Sequence, residues 1–175
     1  YVSEISETLT LVGDGDLSTL PRVSIEPGRA IVGPSTFTLY EVGTVKPVEL
    51  GGGHTRTYVS VDGGMSDNAR PALYEADYSC TLANRRSEAG PMLSRVVGRH
   101  CESGDIVVLD EYLPADAQPG DLIAVPGTGA YCRALSSQYN HTPRPPVVAV
   151  RGGRSRVLVR RETIEDLLAL DVADA

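Results

Sequence analysis

Apolar residues alternate with polar ones through most of this chain, and that period of two predicts strands more than helices. From Thr55 to Val61, Val59 and Val61 fall on one face and Tyr58 and Ser60 on the other. Phe37 to Val45 alternates in the same way. Shorter runs follow at Tyr78 to Leu82, Ser94 to Val97, Ile106 to Leu109 and Leu122 to Val125. Val147 to Arg151 and Arg156 to Arg160 flank Gly152-Gly153-Arg154-Ser155, a hairpin signal. Arg22-Val23-Ser24-Ile25 reads as a short buried strand cut by Glu26-Pro27-Gly28, because Pro and Gly end ladders. Turn residues separate these runs at short intervals, which predicts a mainly β sandwich or barrel of antiparallel strands. Ser3 to Leu11 reads as the tail of a helix, followed by a loop at Gly13 to Asp16. Three short helices are expected further on. One starts near Asp67-Asn68 with Pro71 in its first turn, one runs from about Gly129 to Gln138, and one runs from Thr163 to Leu170, where Thr163 can cap.

Composition narrows the class. The 175 residues are 41% hydrophobic, enough for one sizeable domain and too apolar for general disorder. No apolar run reaches the roughly 18 residues of a membrane-spanning helix. Tyr1-Val2-Ser3-Glu4 lacks the basic and apolar regions of a signal peptide. The chain does not begin with Met, which reads as processing or as a piece of a longer polypeptide. A net charge of −7 argues against nucleic acid and against an anionic membrane as partners. Cys80, Cys101 and Cys132 are odd in number and widely spaced, so the expectation is free thiols in the cytoplasm. Lys46 is the one lysine, all other basic residues being arginine.

Four segments could carry chemistry. Glu26-Pro27-Gly28-Arg29 ends a short apolar strand; its glycine admits an anion close to the backbone and its arginine can grip a carboxylate or phosphate. The alternative is an ordinary Pro-Gly turn with a surface arginine. If Arg70 to Tyr74 is one helical turn, guanidinium and phenol share a face suited to an anionic polar ligand; a plain capped surface helix is the alternative. His100-Cys101-Glu102-Ser103-Gly104-Asp105 invites a metal assignment. Consecutive residues on an extended strand point to opposite faces, and no second cluster completes a site, so no metal is assigned. A thiol beside a carboxylate suits a proton donor better than a thiolate nucleophile, although Cys101 could also be a small buried hydrophobe. Gly127-Thr128-Gly129-Ala130-Tyr131 precedes an expected helix and could offer N–H groups to a phosphate, but it lacks the third glycine of a dinucleotide loop. Gly51-Gly52-Gly53-His54 lies between strands and reads as a flexible hairpin turn.

In this order and spacing, these segments resemble the C-terminal part of the diaminopimelate decarboxylase family. That family belongs to the alanine-racemase-like, fold type III group of pyridoxal-phosphate enzymes. The carrying residues are Glu26-Pro27-Gly28-Arg29, Tyr58-Val59 leading into Asp62-Gly63-Gly64-Met65, Ser66 to Tyr74, His100-Cys101-Glu102-Ser103-Gly104-Asp105 and Gly129-Ala130-Tyr131. The resemblance runs from about Arg22 to Val172. It implies that residues 1–30 are the tail of an N-terminal (β/α)8 barrel and residues 31–175 a C-terminal β-sandwich or barrel domain with a few short helices. It further implies that Glu26, Pro27, Gly28, Arg29 and Tyr131 lie at the pyridoxal 5'-phosphate cofactor. Arg29, Arg70, Tyr74, Glu102 and Tyr131 resemble substrate-binding positions, Glu102 taking the distal ammonium, and Cys101 resembles the proton donor. The family works as a homodimer with shared active sites, in which the Cys101–Glu102 loop serves the partner's site, and the resemblance implies a small-molecule amino-acid substrate, meso-2,6-diaminopimelate, converted to L-lysine and CO2. The family's Schiff-base lysine has no match here, so the barrel is expected to be missing and the chain alone inactive. The alternatives are a β-domain acting only in dimerisation or interaction, and a related decarboxylase acting on another basic amino acid.

Overall fold

The computed structural model describes residues 2–13, 16, 22 and 24–172. Its elements are α1 (Val2–Val12), α2 (Gly28–Val32), β1 (Phe37–Gly51), β2 (His54–Val61), α3 (Arg70–Tyr74), β3 (Thr81–Leu82), β4 (Pro91–Val97), β5 (Ile106–Pro114), β6 (Leu122–Pro126), α4 (Cys132–Leu135), β7 (Val147–Arg151), β8 (Arg154–Val159) and α5 (Ile164–Leu168).

Six strands form one sheet in the order β3-β6-β1-β2-β4-β5. The two ends of this order come together, because the Cys80 N–H beside β3 donates to Glu111 Oε2 on β5 at 3.3 Å. The sheet is therefore nearly closed. Its inward face is what the alternation predicts: Val59 and Val61 are buried, as are Tyr40, Val42, Val96, Ile123 and Val125. Each such aliphatic side chain adds about 1.5–3 kcal/mol relative to exposure. Thr163 caps α5 through the reciprocal bonds of a capping box with Asp166.

The expectation of purely antiparallel pairing is corrected at one junction. β2 and β4 run parallel, Thr57 opposite Ser94 and Ser60 opposite Val97. Parallel neighbours need a crossover rather than a tight turn. Residues 62–90 make it, and they carry α3. Three other expectations shift. The expected strand at Arg22 to Ile25 is absent from its described residues, with Val23 lying outside them; an apolar run is a strand only where a ladder partner exists, and neither sheet reaches this segment. The run at Tyr78 to Leu82 pairs only at Thr81–Leu82, and the helix expected over Gly129 to Gln138 contracts to Cys132–Leu135. The Gly13 to Asp16 loop falls partly outside the described residues. Gly51 to Gly53 do form the β1–β2 hairpin turn.

β7 and β8 form a separate two-stranded sheet. Just after β3, Arg85 reaches Asp121 with Nε and Nη2, both at 2.8 Å, and Asp116 with Nη1 at 2.9 Å. These bonds hold the Asp121 carboxyl well below the usual carboxylate range.

Candidate functional site

Glu26 and Pro27 lead directly into α2, so Gly28 and Arg29 open a helix instead of closing a strand. Arg29 is exposed there. α2 packs against the turn after β6. The Gly129 N–H donates to Gly33 O and the Thr128 N–H to Thr36 O, both at 3.1 Å. A Cβ on Gly129 would lie 1.9 Å from Val32 O, so only glycine lets the two segments meet. Those bonds also correct the phosphate reading of this turn, since the Thr128 and Gly129 N–H groups are already committed to the chain. Between α2 and Tyr131 lies an open cleft of about 410 Å³, lined by Gly28, Arg29, Val32, Gly129, Ala130 and Tyr131 among others.

Tyr131 has φ +65, a left-handed conformation that costs a non-glycine residue about 1–3 kcal/mol. That conformation sets its ring beside Arg70, whose guanidinium carbon is 5.4 Å from the ring centre. The same guanidinium lies 5.8 Å from the Tyr74 ring, four residues on along α3. Arg70 is thus held between two tyrosines from different elements, and planar guanidinium groups suit such faces. Arg70 Nε and Asn68 Nδ2 are buried and bond to nothing among the described residues. Beneath them, the Cys132 thiol sits between Asn68 Oδ1 at 3.4 Å and the Tyr78 hydroxyl at 3.5 Å. Burial pushes that thiol up, while the Arg70 and Arg29 charges pull it down. Next to it, burial raises the Asp67 carboxyl even though the Tyr40 hydroxyl donates to it at 2.6 Å.

A second cluster centres on the loop after β4. Asp105 is buried and accepts the His100 N–H at 2.7 Å and the Met65 N–H at 2.6 Å. Gly64 and Gly98 press on that carboxylate so closely that a Cβ on either would lie within 2.4 Å of an oxygen. His100 Nε2 shares a hydrogen bond with Ser66 Oγ at 2.9 Å. The loop is anchored at its root and presents Cys101 and Glu102 outward. Both are exposed, so the alternative of Cys101 as a buried hydrophobe is excluded. The Tyr139 hydroxyl donates to Glu102 Oε1.

Of the expected site residues, the structure places Arg29 and Tyr131 on the cleft and joins Arg70 and Tyr74 to it through the stacking of Arg70 on Tyr131. Cys101 and Glu102 stand apart: among the described residues no hydrogen bond, ion pair or ring contact joins them to those four. Tyr139, Asp105, Asn68 and Ser66 carry roles the sequence reading did not assign. Asp105 and Ser66 lay inside motifs already singled out, but Tyr139 had no pattern to mark it. Lys46 is exposed on β1, opposite Tyr58. It lies nine positions beyond Phe37, about 30 Å along an extended strand, and does not line the cleft. The donors present, two guanidiniums, two phenols and the unpartnered Asn68 amide, fit one flank of an anionic cofactor and contain no amine to bond it.

The family described as "Pyridoxal-dependent decarboxylase, C-terminal sheet domain" matches residues 30–129. The chain is 57% identical over 168 residues to the diaminopimelate decarboxylase of Mycobacterium tuberculosis, covering 96% of this chain and 37% of that protein. It is 44% identical to that of Bacillus subtilis, covering 98% and 38%. A crystal structure of diaminopimelate decarboxylase from Helicobacter pylori complexed with L-lysine is 31% identical, with a TM-score of 0.74, covering 97% of this chain and 48% of that one. The chain thus spans little more than a third of the length of these curated relatives. No helix among the described residues is long and apolar enough to cross a membrane.

Proposed function

This chain belongs to the pyridoxal-dependent decarboxylases through their C-terminal sheet domain, and from that premise we propose that it is the C-terminal portion of a diaminopimelate decarboxylase. The reaction is release of CO2 from meso-2,6-diaminopimelate to give L-lysine, the last step of lysine biosynthesis. Residues 1–30 are the tail of a barrel and residues 31–175 the sheet domain. The observation that carries the reading is an open cleft lined by Arg29 and Tyr131, with the Arg70 guanidinium stacked on the Tyr131 ring.

Pyridoxal 5'-phosphate, when bound, supplies the electron sink for the carbon that loses CO2. Glu26 to Arg29 and Tyr131 flank it from this chain. Arg29 and Arg70 bind carboxylate, and the tyrosine faces at Tyr74 and Tyr131 keep the Arg70 plane oriented for bidentate contact. Glu102 accepts the distal ammonium. The Cys101 thiol returns a proton to the substrate carbon. The cofactor's amine comes from a lysine outside this chain, so the chain alone is inactive.

Among the described residues Cys101 and Glu102 make no contact with the Arg29 and Tyr131 cluster, which supports a homodimer in which they complete the partner's site; free thiols at Cys80, Cys101 and Cys132 fit the cytoplasm. Exposed Ile31, Val32, Tyr131 and Leu135 around the cleft supply apolar surface for the barrel and the second subunit to cover. The test loads the complete polypeptide with cofactor and compares diaminopimelate, lysine and ornithine. Diaminopimelate is expected to react faster by about 100-fold or more, since a site built for polar groups rejects substrates that lack them. Faster turnover of ornithine assigns a related decarboxylase instead. Absence of any bound-cofactor absorbance assigns a stand-alone interaction domain.

A further inference from the structure

Tyr139 is reached by an uncommon path. It begins a single 3-10 turn, Tyr139–His141, whose next two residues, Asn140 and His141, both have left-handed backbones at φ +52 and +54. Two such residues in succession are strained unless their surroundings fix them. Here they are fixed. The Ser137 N–H donates to Ser66 O at 2.8 Å, and the His141 N–H to Gln138 O at 2.8 Å. The Tyr139 ring stands edge-on to the buried His100 ring, centroids 5.3 Å apart. His100 in turn is bonded to Ser66, and its Nδ1 lies 3.5 Å from Asn140 Nδ2. The phenol is therefore braced from behind, and its hydroxyl ends on Glu102 Oε1.

We propose that Tyr139 is a positioning residue for substrate selection: it pins one oxygen of Glu102 and so directs the other at the distal ammonium of the substrate. This rests on the role given to Glu102 above. An exposed glutamate on a loop has three rotatable side-chain bonds, and an ammonium must order them on binding. A donor already bonded to the carboxylate removes much of that ordering cost. A phenol suits the task because it donates without adding positive charge that would compete with the ammonium. The same bond to Glu102 raises the Tyr139 pKa above that of an ordinary tyrosine, so the hydroxyl stays a donor.

The test is Tyr139→Phe in the complete, cofactor-loaded polypeptide. This change keeps the ring against His100 and removes only the hydroxyl. Rates are measured on meso-diaminopimelate and on 2-aminopimelate, which has the same carbon chain without the distal amine. Expected is a loss of about tenfold in kcat/KM on diaminopimelate, carried mostly by KM, with less than about twofold change on 2-aminopimelate. Equal losses on both substrates would mean a structural role and overturn the proposal, as would no loss on either. Glu102→Gln is run beside it. If Glu102→Gln abolishes the preference for diaminopimelate while Tyr139→Phe leaves it intact, the Tyr139 proposal alone fails. If Glu102→Gln leaves the preference intact, the assignment of Glu102 fails and this proposal with it.

Discussion

The carboxylate of Asp105 accepts the backbone N–H of Met65 at 2.6 Å, across 40 residues of sequence. That bond, with the one from the His100 N–H, staples the β2–β4 crossover to the loop that presents Cys101 and Glu102. Asp105→Asn puts an NH2 against one of these N–H groups. Leaving a buried donor unsatisfied costs about 1–3 kcal/mol. The complete enzyme carrying this change is expected to lose about 10- to 100-fold in kcat, at that cost per donor, while still binding cofactor. Steady-state kinetics beside a cofactor absorbance titration check it.

Gly129→Ala tests the seam between α2 and the Tyr131 turn. The new methyl has no room against Val32 O, and the segments must part. Arg29 and Tyr131 line the same cleft and move with them. Displacements near 1 Å can cost about 100-fold in rate, and a loss of cofactor affinity of about tenfold or more is expected. The core strands are untouched, so the far-ultraviolet dichroism should not change.

The Arg85–Asp121 clamp makes a prediction about acid. Asp121 has its folded-state pKa held down by Arg85. Its contribution to stability is full above the unfolded carboxyl pKa of about 3.9 and is lost as pH falls through the lower folded value. Arg85→Met removes the hold. Thermal unfolding of parent and variant should then differ by a constant amount above about pH 5 and converge toward pH 2. A gap that widens on acidification contradicts the assignment.

Much of this was legible in the chain itself. The alternation at Val59 and Val61 placed both on the inner face because a strand's period depends on local geometry alone. The spacing of Arg70 and Tyr74 likewise put them on one face of a short helix. What periodicity cannot encode is the neighbour. The parallel match of β2 to β4 depends on a crossover, and the described residues of the run at Arg22 to Ile25 found no ladder. Gly129 read as a phosphate loop because a glycine needed for close packing and one needed for an anion are written alike. Tyr139 was invisible for a similar reason: its place is set by two left-handed residues after it and by His100, 39 positions away.

The most direct measurement is turnover of meso-diaminopimelate by the complete, cofactor-loaded polypeptide carrying Cys101→Ala. A positioned general acid contributes about 100- to 10,000-fold, so kcat should fall by at least the lower figure with cofactor absorbance retained. Turnover equal to that of the parent would contradict the account.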